Sequence, residues 1–204
     1  MSELPYDRFK RVLDVVIAAV CGLATAPLQL VVAALVRLRL GSPVLFRQER
    51  PGKDERVFEL LKFRTMLVPD PEHGLVDDVD RMTRLGTFLR ATSLDELPTL
   101  WNVIKGDMSL VGPRPLLLQY LERYSPEQRR RHEVRPGVTG LAQASGRNAL
   151  SWPAKFALDV QYVDSRSLAL DAKIIWATIG KVLRREGISD ASTVTMSEFS
   201  GTER

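Results

Sequence analysis

The stretch VVIAAVCGLATAPLQLVVAALV, Val15 to Val36, carries no charged side chain over 22 residues. As one straight helix it would be about 33 Å long, enough to cross the hydrocarbon core of a bilayer. Two features argue against a simple crossing. Pro27 sits near the middle, where its ring removes a backbone donor and crowds the preceding turn, so a break is predicted at Ala26-Pro27. Thr25 stands beside the break with a hydroxyl able to take up a freed carbonyl. Both flanks are also basic, with Arg8, Lys10 and Arg11 before the run and Arg37 and Arg39 after it. Basic flanks stay on the cytoplasmic side, and a single crossing satisfies only one of them. Each half, roughly 18 Å, is too short to span the core alone. A helix-break-helix that enters and leaves through one face satisfies both flanks, and this re-entrant course is preferred to a tilted crossing or a helix buried in a soluble core. The run is too long for a cleaved signal peptide and lacks a small-residue cleavage site.

Outward from this segment, Val44–Phe46 and Val57–Leu61 read as two short strands around the Pro51-Gly52 turn. Residues 69–80, PDPEHGLVDDVD, read as a mobile surface loop. Helical patterns follow at about 81–91, 94–105, 115–124 and 126–132, then a Gly-rich loop, RPGVTGLAQASGR, and helices at 152–164 and 168–186. The last gathers Leu170, Ile174, Ile175, Ile179, Val182 and Leu183 on one side, near Trp176. That side could lie on lipid or pack in the core. The fold class expected is an α-rich α+β chain with an N-terminal re-entrant membrane helix-break-helix, a small β-hairpin and several helices, including amphipathic interfacial ones. Its parts are residues 1–40 (the membrane helix), 41–187 (a cytosolic catalytic domain forming one unit with that helix) and 188–204 (a polar tail read as disordered).

The net charge of +4 suits phosphorylated substrates, an anionic membrane or nucleic acid, and does not choose among them. One cysteine, Cys21, excludes an intramolecular disulfide, and two histidines cannot make a zinc site unaided. Metal chemistry, if any, falls to carboxylate oxygens and a hard cation such as Mg²⁺. No P-loop or G-x-G-x-x-G is present, so phosphate handling would rest on arginines, lysines and helix N-termini.

The richest stretch for chemistry is RATSLDELPTLWNVIKGDMSLVGPRP, Arg90 to Pro115. Ser93-Leu94-Asp95-Glu96 fits a capping box, and taken alone the two carboxylates read more readily as helix caps than as catalysts. The same helix start would hold Asp95 ionised beside bound Mg²⁺, where it could attack phosphorus, with Glu96 tuning it or shuttling a proton.

KFRTM (Lys62–Met66), SLDELPTLWNVIKGDMSLVGPRP (Ser93–Pro115), RPGVTGLAQASGR (Arg135–Arg147) and LDVQYVDSRSLALDAKII (Leu158–Ile175), in that order, resemble the bacterial sugar transferase family, and within it the minimal monotopic phosphoglycosyl transferases. The likeness runs from about Tyr6 to Arg185. It implies a ping-pong reaction in which Asp95 attacks the β-phosphate of a UDP-sugar, expels UMP and passes the phosphosugar to undecaprenyl phosphate. It makes Glu96 the second member of a catalytic dyad, places Mg²⁺ at Asp95, and assigns substrate binding to Lys62, Arg64, Arg90, Arg114 and Arg147. Membrane lipids are implied as partners and nucleic acid is not, and a homodimer is compatible with the family. The implied setting is the bacterial inner membrane, with the catalytic domain on its cytoplasmic face. At the membrane break this chain has Ala26-Pro27 where many members have Ser-Pro, which puts weight on Thr25. For each basic residue the alternative is a structural salt bridge, and Asp159 and Asp164 stay open between structural and functional roles. A membrane-anchored scaffold is the competing class, and it would have no need of the Asp95-Glu96 pair.

Overall fold

The computed structural model describes residues 5–146, 150–184 and 198–201. Its first element, α1 (Pro5–Arg39), is a helix of 35 residues that continues through Ala26 and Pro27. Asp7 in its first turn and Arg37 and Arg39 in its last complement the helix dipole. Among the described residues it is the one helix long and apolar enough to cross a membrane. It docks through a single stripe, with Asp14, Ala18, Val32 and Val36 buried and Leu40 buried just past its end, while Val20, Leu23, Leu28, Leu30 and Val31 stay exposed. Polar side chains serve the carbonyls near Pro27. The Thr25 hydroxyl donates to the Cys21 carbonyl at 2.6 Å, and Gln29 Nε2 donates to Thr25 Oγ1 at 3.0 Å and to the Gly22 carbonyl at 3.4 Å. The carbonyl that Pro27 deprives of its donor is that of Leu23, so Thr25 and Gln29 bond its neighbours Cys21 and Gly22 and not the freed group itself.

A hairpin follows, β1 (Leu45–Pro51) against β2 (Val57–Phe63), antiparallel from Leu45↔Phe63 to Pro51↔Val57. Both strands are longer than expected. The acidic stretch holds a 3₁₀ turn at Pro71–His73 and the short α2 (Asp78–Arg81). α3 (Arg84–Ala91) begins later than the expected 81, because the Thr83 side chain accepts from the Gly86 N–H and caps it there. A Cβ on Gly86 would lie 1.8 Å from the Thr65 carbonyl, so α3 approaches residue 65 only because a glycine stands there. The helix expected over 94–105 is a 3₁₀ turn at Leu94–Glu96 and then α4 (Thr99–Lys105), divided at Leu97-Pro98, and Gly106 in the left-handed region ends it.

Beyond α4 come β3 (Ser109–Val111), a 3₁₀ segment at Leu118–Arg123 and α5 (Pro126–Arg129), which opens on a capping box from Ser125 and Gln128. The Gly-rich loop holds structure that the sequence reading missed, β4 (Gly137–Thr139), parallel to β3, and α6 (Leu141–Ser145). A Cβ on Gly137 would lie 2.1 Å from the Gly112 nitrogen. That glycine therefore lets two backbones meet. α7 (Trp152–Ser165) and α8 (Leu168–Arg184) complete the fold. α8 buries Ile174 with Tyr162 and Val111, with Leu170 and Ile175 packed beside them, while Trp176 and Ile179 stay exposed. The side chains of Val182 and Leu183 lie outside the described residues.

The expectation of a disordered tail over 188–204 is corrected at Glu198–Gly201. Phe199 is buried among Tyr120, Tyr124, Trp152 and Phe156, its ring centroid 4.9 Å from that of Phe156. Its N–H donates to Tyr120 Oη at 3.2 Å, its carbonyl accepts from Arg123, and the Glu198 carboxylate takes bonds from Arg123 and Gln119. The aromatic burial accounts for the order of this segment. Residues 188–197 and 202–204 lie outside the described residues. Phe156→Ala, at the centre of this cluster, is expected to lower the unfolding free energy by about 3 kcal/mol or more in chemical denaturation. Phe199→Ala should instead undock the segment, seen as faster amide exchange at Phe199 with the exchange of α4 unchanged.

Candidate active site

The site is set by a stitch between α4 and β2. Thr99 donates through its hydroxyl to the Leu61 carbonyl at 2.9 Å. Asn102, fully buried, accepts from the Leu61 N–H at 3.0 Å and donates to the Glu59 carbonyl at 2.7 Å. These bonds fix the start of α4 beside Leu61, and so place Lys62 next to the turn that precedes α4. That turn carries Asp95 and Glu96.

Ser93, just before them, has φ 56° and ψ 18°, a left-handed conformation that a serine adopts at a cost. It makes no side-chain cap, so the expected capping box is corrected. Glu96 does not reach back to Ser93. Its Oε1 takes Lys62 Nζ at 2.5 Å and Arg114 Nη2 at 3.2 Å. Burial alone would raise the Glu96 carboxyl. The two cations outweigh it and hold Glu96 down at about 2.

Asp95 is in the opposite condition. It is 8% exposed and makes no hydrogen bond or ion pair among the described residues, although Lys62, Arg90 and Arg114 all act on it from nearby. Burial, and then the neighbouring Glu96 charge, push it up to about 6 against the pull of those cations. The idea that a helix start keeps Asp95 ionised is therefore corrected, since desolvation and a like charge work against ionisation. What results is a buried, uncommitted carboxylate among three cations, next to a second carboxylate that is fully committed. Perturbation of this kind inside a cluster of opposite charge is typical of reactive groups.

Of the residues singled out in the sequence, Lys62, Arg90, Asp95, Glu96 and Arg114 come together. Arg90 is steadied by a bond from its Nε to Thr65 Oγ1 at 3.0 Å. Arg64 lies elsewhere. It is buried, and its terminal nitrogens donate to the carbonyls of Leu40 and Ser42, closing the C-terminal end of α1 in place of the phosphate contact expected of it. Arg147 lies outside the described residues. Asp159 forms a buried pair with Arg131 (2.7 Å), and Asp164 pairs with Arg130 at the surface. Arg131 also donates to the Arg114 carbonyl at 2.7 Å, a positioning contact that the sequence reading missed. Thr99 and Asn102 were missed as well, although polar residues on the apolar face of LPTLWNVI were a signal. No group of three His, Cys, Asp or Glu that could hold a metal gathers among the described residues. Asp95 is thus the one carboxylate of the cluster open to a cation, and a single carboxylate with substrate oxygens and water is a common setting for Mg²⁺.

The bacterial sugar transferase profile matches residues 5–185. The chain is 50% identical over 194 residues to the uncharacterized sugar transferase EpsL of Bacillus subtilis (strain 168), covering 95% of this chain and 96% of that protein. It is 43% identical over 195 residues to the UDP-glucose:undecaprenyl-phosphate glucose-1-phosphate transferase of Caulobacter vibrioides, covering 90% of this chain and 73% of that protein. It is 38% identical over 200 residues to the exopolysaccharide production protein ExoY of Sinorhizobium fredii, covering 87% of each.

The electrostatic coupling can be tested directly. In Glu96→Gln the like charge beside Asp95 is gone and Lys62 and Arg114 lose their partner. The Asp95 carboxyl should therefore titrate clearly below 6, followed by NMR on ¹³C-labelled aspartate. An unchanged or higher midpoint would contradict the coupling.

Proposed function

The chain belongs to the bacterial sugar transferase family and is an enzyme, and on that premise we propose that it moves a phosphosugar from a UDP-sugar to a polyprenol phosphate through a covalent intermediate on Asp95. The observation that carries this reading is the uncommitted Asp95 carboxylate among Lys62, Arg90 and Arg114. A carboxylate meant only for structure would be paired, as Asp159 is with Arg131.

The chemistry balances without a further reactant. An ionised Asp95 oxygen attacks the β-phosphorus of the UDP-sugar. The bond from that phosphorus to the bridging oxygen breaks, and UMP leaves with the electron pair. An oxygen of the polyprenol phosphate then attacks the same phosphorus, the aspartyl bond breaks, and Asp95 returns as the carboxylate. Desolvation helps, because a buried carboxylate without hydrogen bonds has little solvation to shed before attack. Lys62, Arg90 and Arg114 offset charge on the phosphoryl oxygens. Glu96 keeps Lys62 and Arg114 in place. Mg²⁺ belongs to the same proposal: Asp95 would hold it together with substrate oxygens, and when bound it offsets phosphate charge.

The membrane course of α1 is proposed as re-entrant. Ala18 clusters with Leu60, and Val32 and Val36 cluster with Phe63. Between these two docked parts Val20, Leu23, Leu28, Leu30 and Val31 stand exposed, and a bend at Pro27 would carry that middle of α1 away from the domain and into the leaflet. Both ends then lie on the cytoplasmic face of the bacterial inner membrane, where UDP-sugars and the phosphate of a polyprenol can reach one site.

Asp95→Asn is expected to abolish both UMP release from UDP-sugars and the covalent phosphosugar adduct seen by intact-protein mass spectrometry, and full turnover by this variant would remove Asp95 as nucleophile. For topology, single cysteines at Glu3 and Ser42 in a Cys21→Ser background should react with a membrane-impermeant maleimide from the same side. Opposite sides would refute the re-entrant course.

A further inference from the structure

Arg50 lies outside every role given above, and its surroundings are unusual for a guanidinium. Residues directly opposite in an antiparallel pair share a face, so Lys62 (opposite Phe46), Gln48 (opposite Leu60) and Arg50 (opposite Phe58) lie along one side of the hairpin. That side leads from the Asp95 cluster to the Pro-Arg-Pro segment. Arg50 Nη2 donates to Gln48 Oε1 at 2.6 Å, and Nη1 points to the Pro115 carbonyl at 3.4 Å. Its Nε is buried with no partner. Arg50 pairs with no carboxylate among the described residues, while Arg114 adds a second positive charge beside it. The other groups acting on it are the hydroxyls of Tyr120 and Tyr124, and burial together with Arg114 pushes its pKa down to about 10.

The charges of the neighbourhood do not cancel. Lys62, Arg90 and Arg114 act on Asp95, Arg90 also faces Asp78, Glu96 is already shared between Lys62 and Arg114, and no carboxylate is among the groups acting on Arg50. A half-buried cation with an unmet buried donor, crowded by a like charge, is stable where an anion arrives to meet both. The proposed reaction brings such an anion. In-line attack by Asp95 places the leaving phosphate on the far side of the reacting phosphorus, and the acceptor phosphate must later enter from that same side.

We propose, on the footing of that reaction, that Arg50 and Arg114 form a phosphomonoester subsite at the end of the cationic track, occupied first by the phosphate of the departing nucleotide and then by the phosphate of the polyprenol acceptor. Arg114 is common to the reacting phosphorus and the subsite. Arg50 belongs to the subsite alone, and Gln48 holds its guanidinium in position. The planar fork matters as well as the charge, because two parallel N–H bonds to one phosphate need an arginine.

The test uses the full chain in nanodiscs, with wild type, Arg50→Gln and Arg50→Lys. UMP binding is measured by calorimetry, which needs no turnover, and the KM for undecaprenyl phosphate is taken from steady-state rates. The burst of UMP at saturating UDP-sugar reports whether the Asp95 centre is intact. Arg50→Gln is expected to weaken UMP binding and raise the acceptor KM by about tenfold each, and to slow the burst, because the leaving phosphate loses a contact, while keeping its amplitude, which counts competent Asp95 centres. Arg50→Lys should fall between it and wild type. A change in the UMP arm alone or the acceptor alone would overturn the shared use, and unchanged values in both would overturn the subsite. If Arg50→Gln does not fold, Arg50→Lys with wild-type affinity for UMP and wild-type acceptor KM gives the same refutation. A wild type that releases no UMP from any UDP-sugar defeats the reaction itself, and the calorimetric arm still reports separately on Arg50.

Discussion

Asn102 is the side chain on which the geometry of the reactive cluster depends most. Buried on the inner face of a two-turn helix, it meets the Leu61 N–H with its oxygen and the Glu59 carbonyl with its nitrogen. Those are backbone groups of an edge strand that would otherwise face the helix unpaired, and unmet groups in that position are expensive. The bonds leave only one alignment of α4 on β2. Thr99 repeats the constraint a turn earlier. The position of Lys62 beside Glu96 follows from them, and the ion pair is a result of the docking more than its cause.

The two adjacent carboxylates then divide the available charge. Glu96 collects two cations and stays ionised across the working pH range, while Asp95, one residue away, is left with burial and a like-charged neighbour. Had Lys62 turned to Asp95 instead, the carboxylate proposed as nucleophile would be paired and less reactive. The left-handed Ser93 contributes by turning the chain sharply, so that consecutive side chains meet different surroundings. Arg131 contributes from behind, since its bond to the Arg114 carbonyl joins the Pro-Arg-Pro segment to the buried Arg131–Asp159 pair.

What could be read from the sequence follows physical range. The apolar run, the hairpin about Pro51-Gly52, and helices α7 and α8 declare themselves through local pattern, and the structure has them. β3 and β4 are three residues each, too short for any alternation, and they pair across a distance in sequence that local pattern cannot cover. Lys62 and Arg64 have the same parity and looked alike. The strand ends at Phe63, however, so Arg64 turns to the end of α1 while Lys62 stays over the site. Phe199 was a lone aromatic in polar surroundings, and nothing nearby in sequence announces the cluster that receives it. The acidic pair was found, but its electrostatic state was not, because burial and neighbours are properties of the folded chain.

The single docking stripe of α1 has a consequence for the membrane itself. A helix that crosses a bilayer must match its hydrophobic length to the distance between two interfaces, and mismatch is answered by tilt or by bilayer deformation. In the course proposed for α1, depth is set from one side only, by Ala18, Val32 and Val36 against the domain. The opposite interface imposes no length on it. Such an insertion should tolerate bilayers of different acyl-chain length and respond mainly to the lateral packing of the one leaflet that it enters.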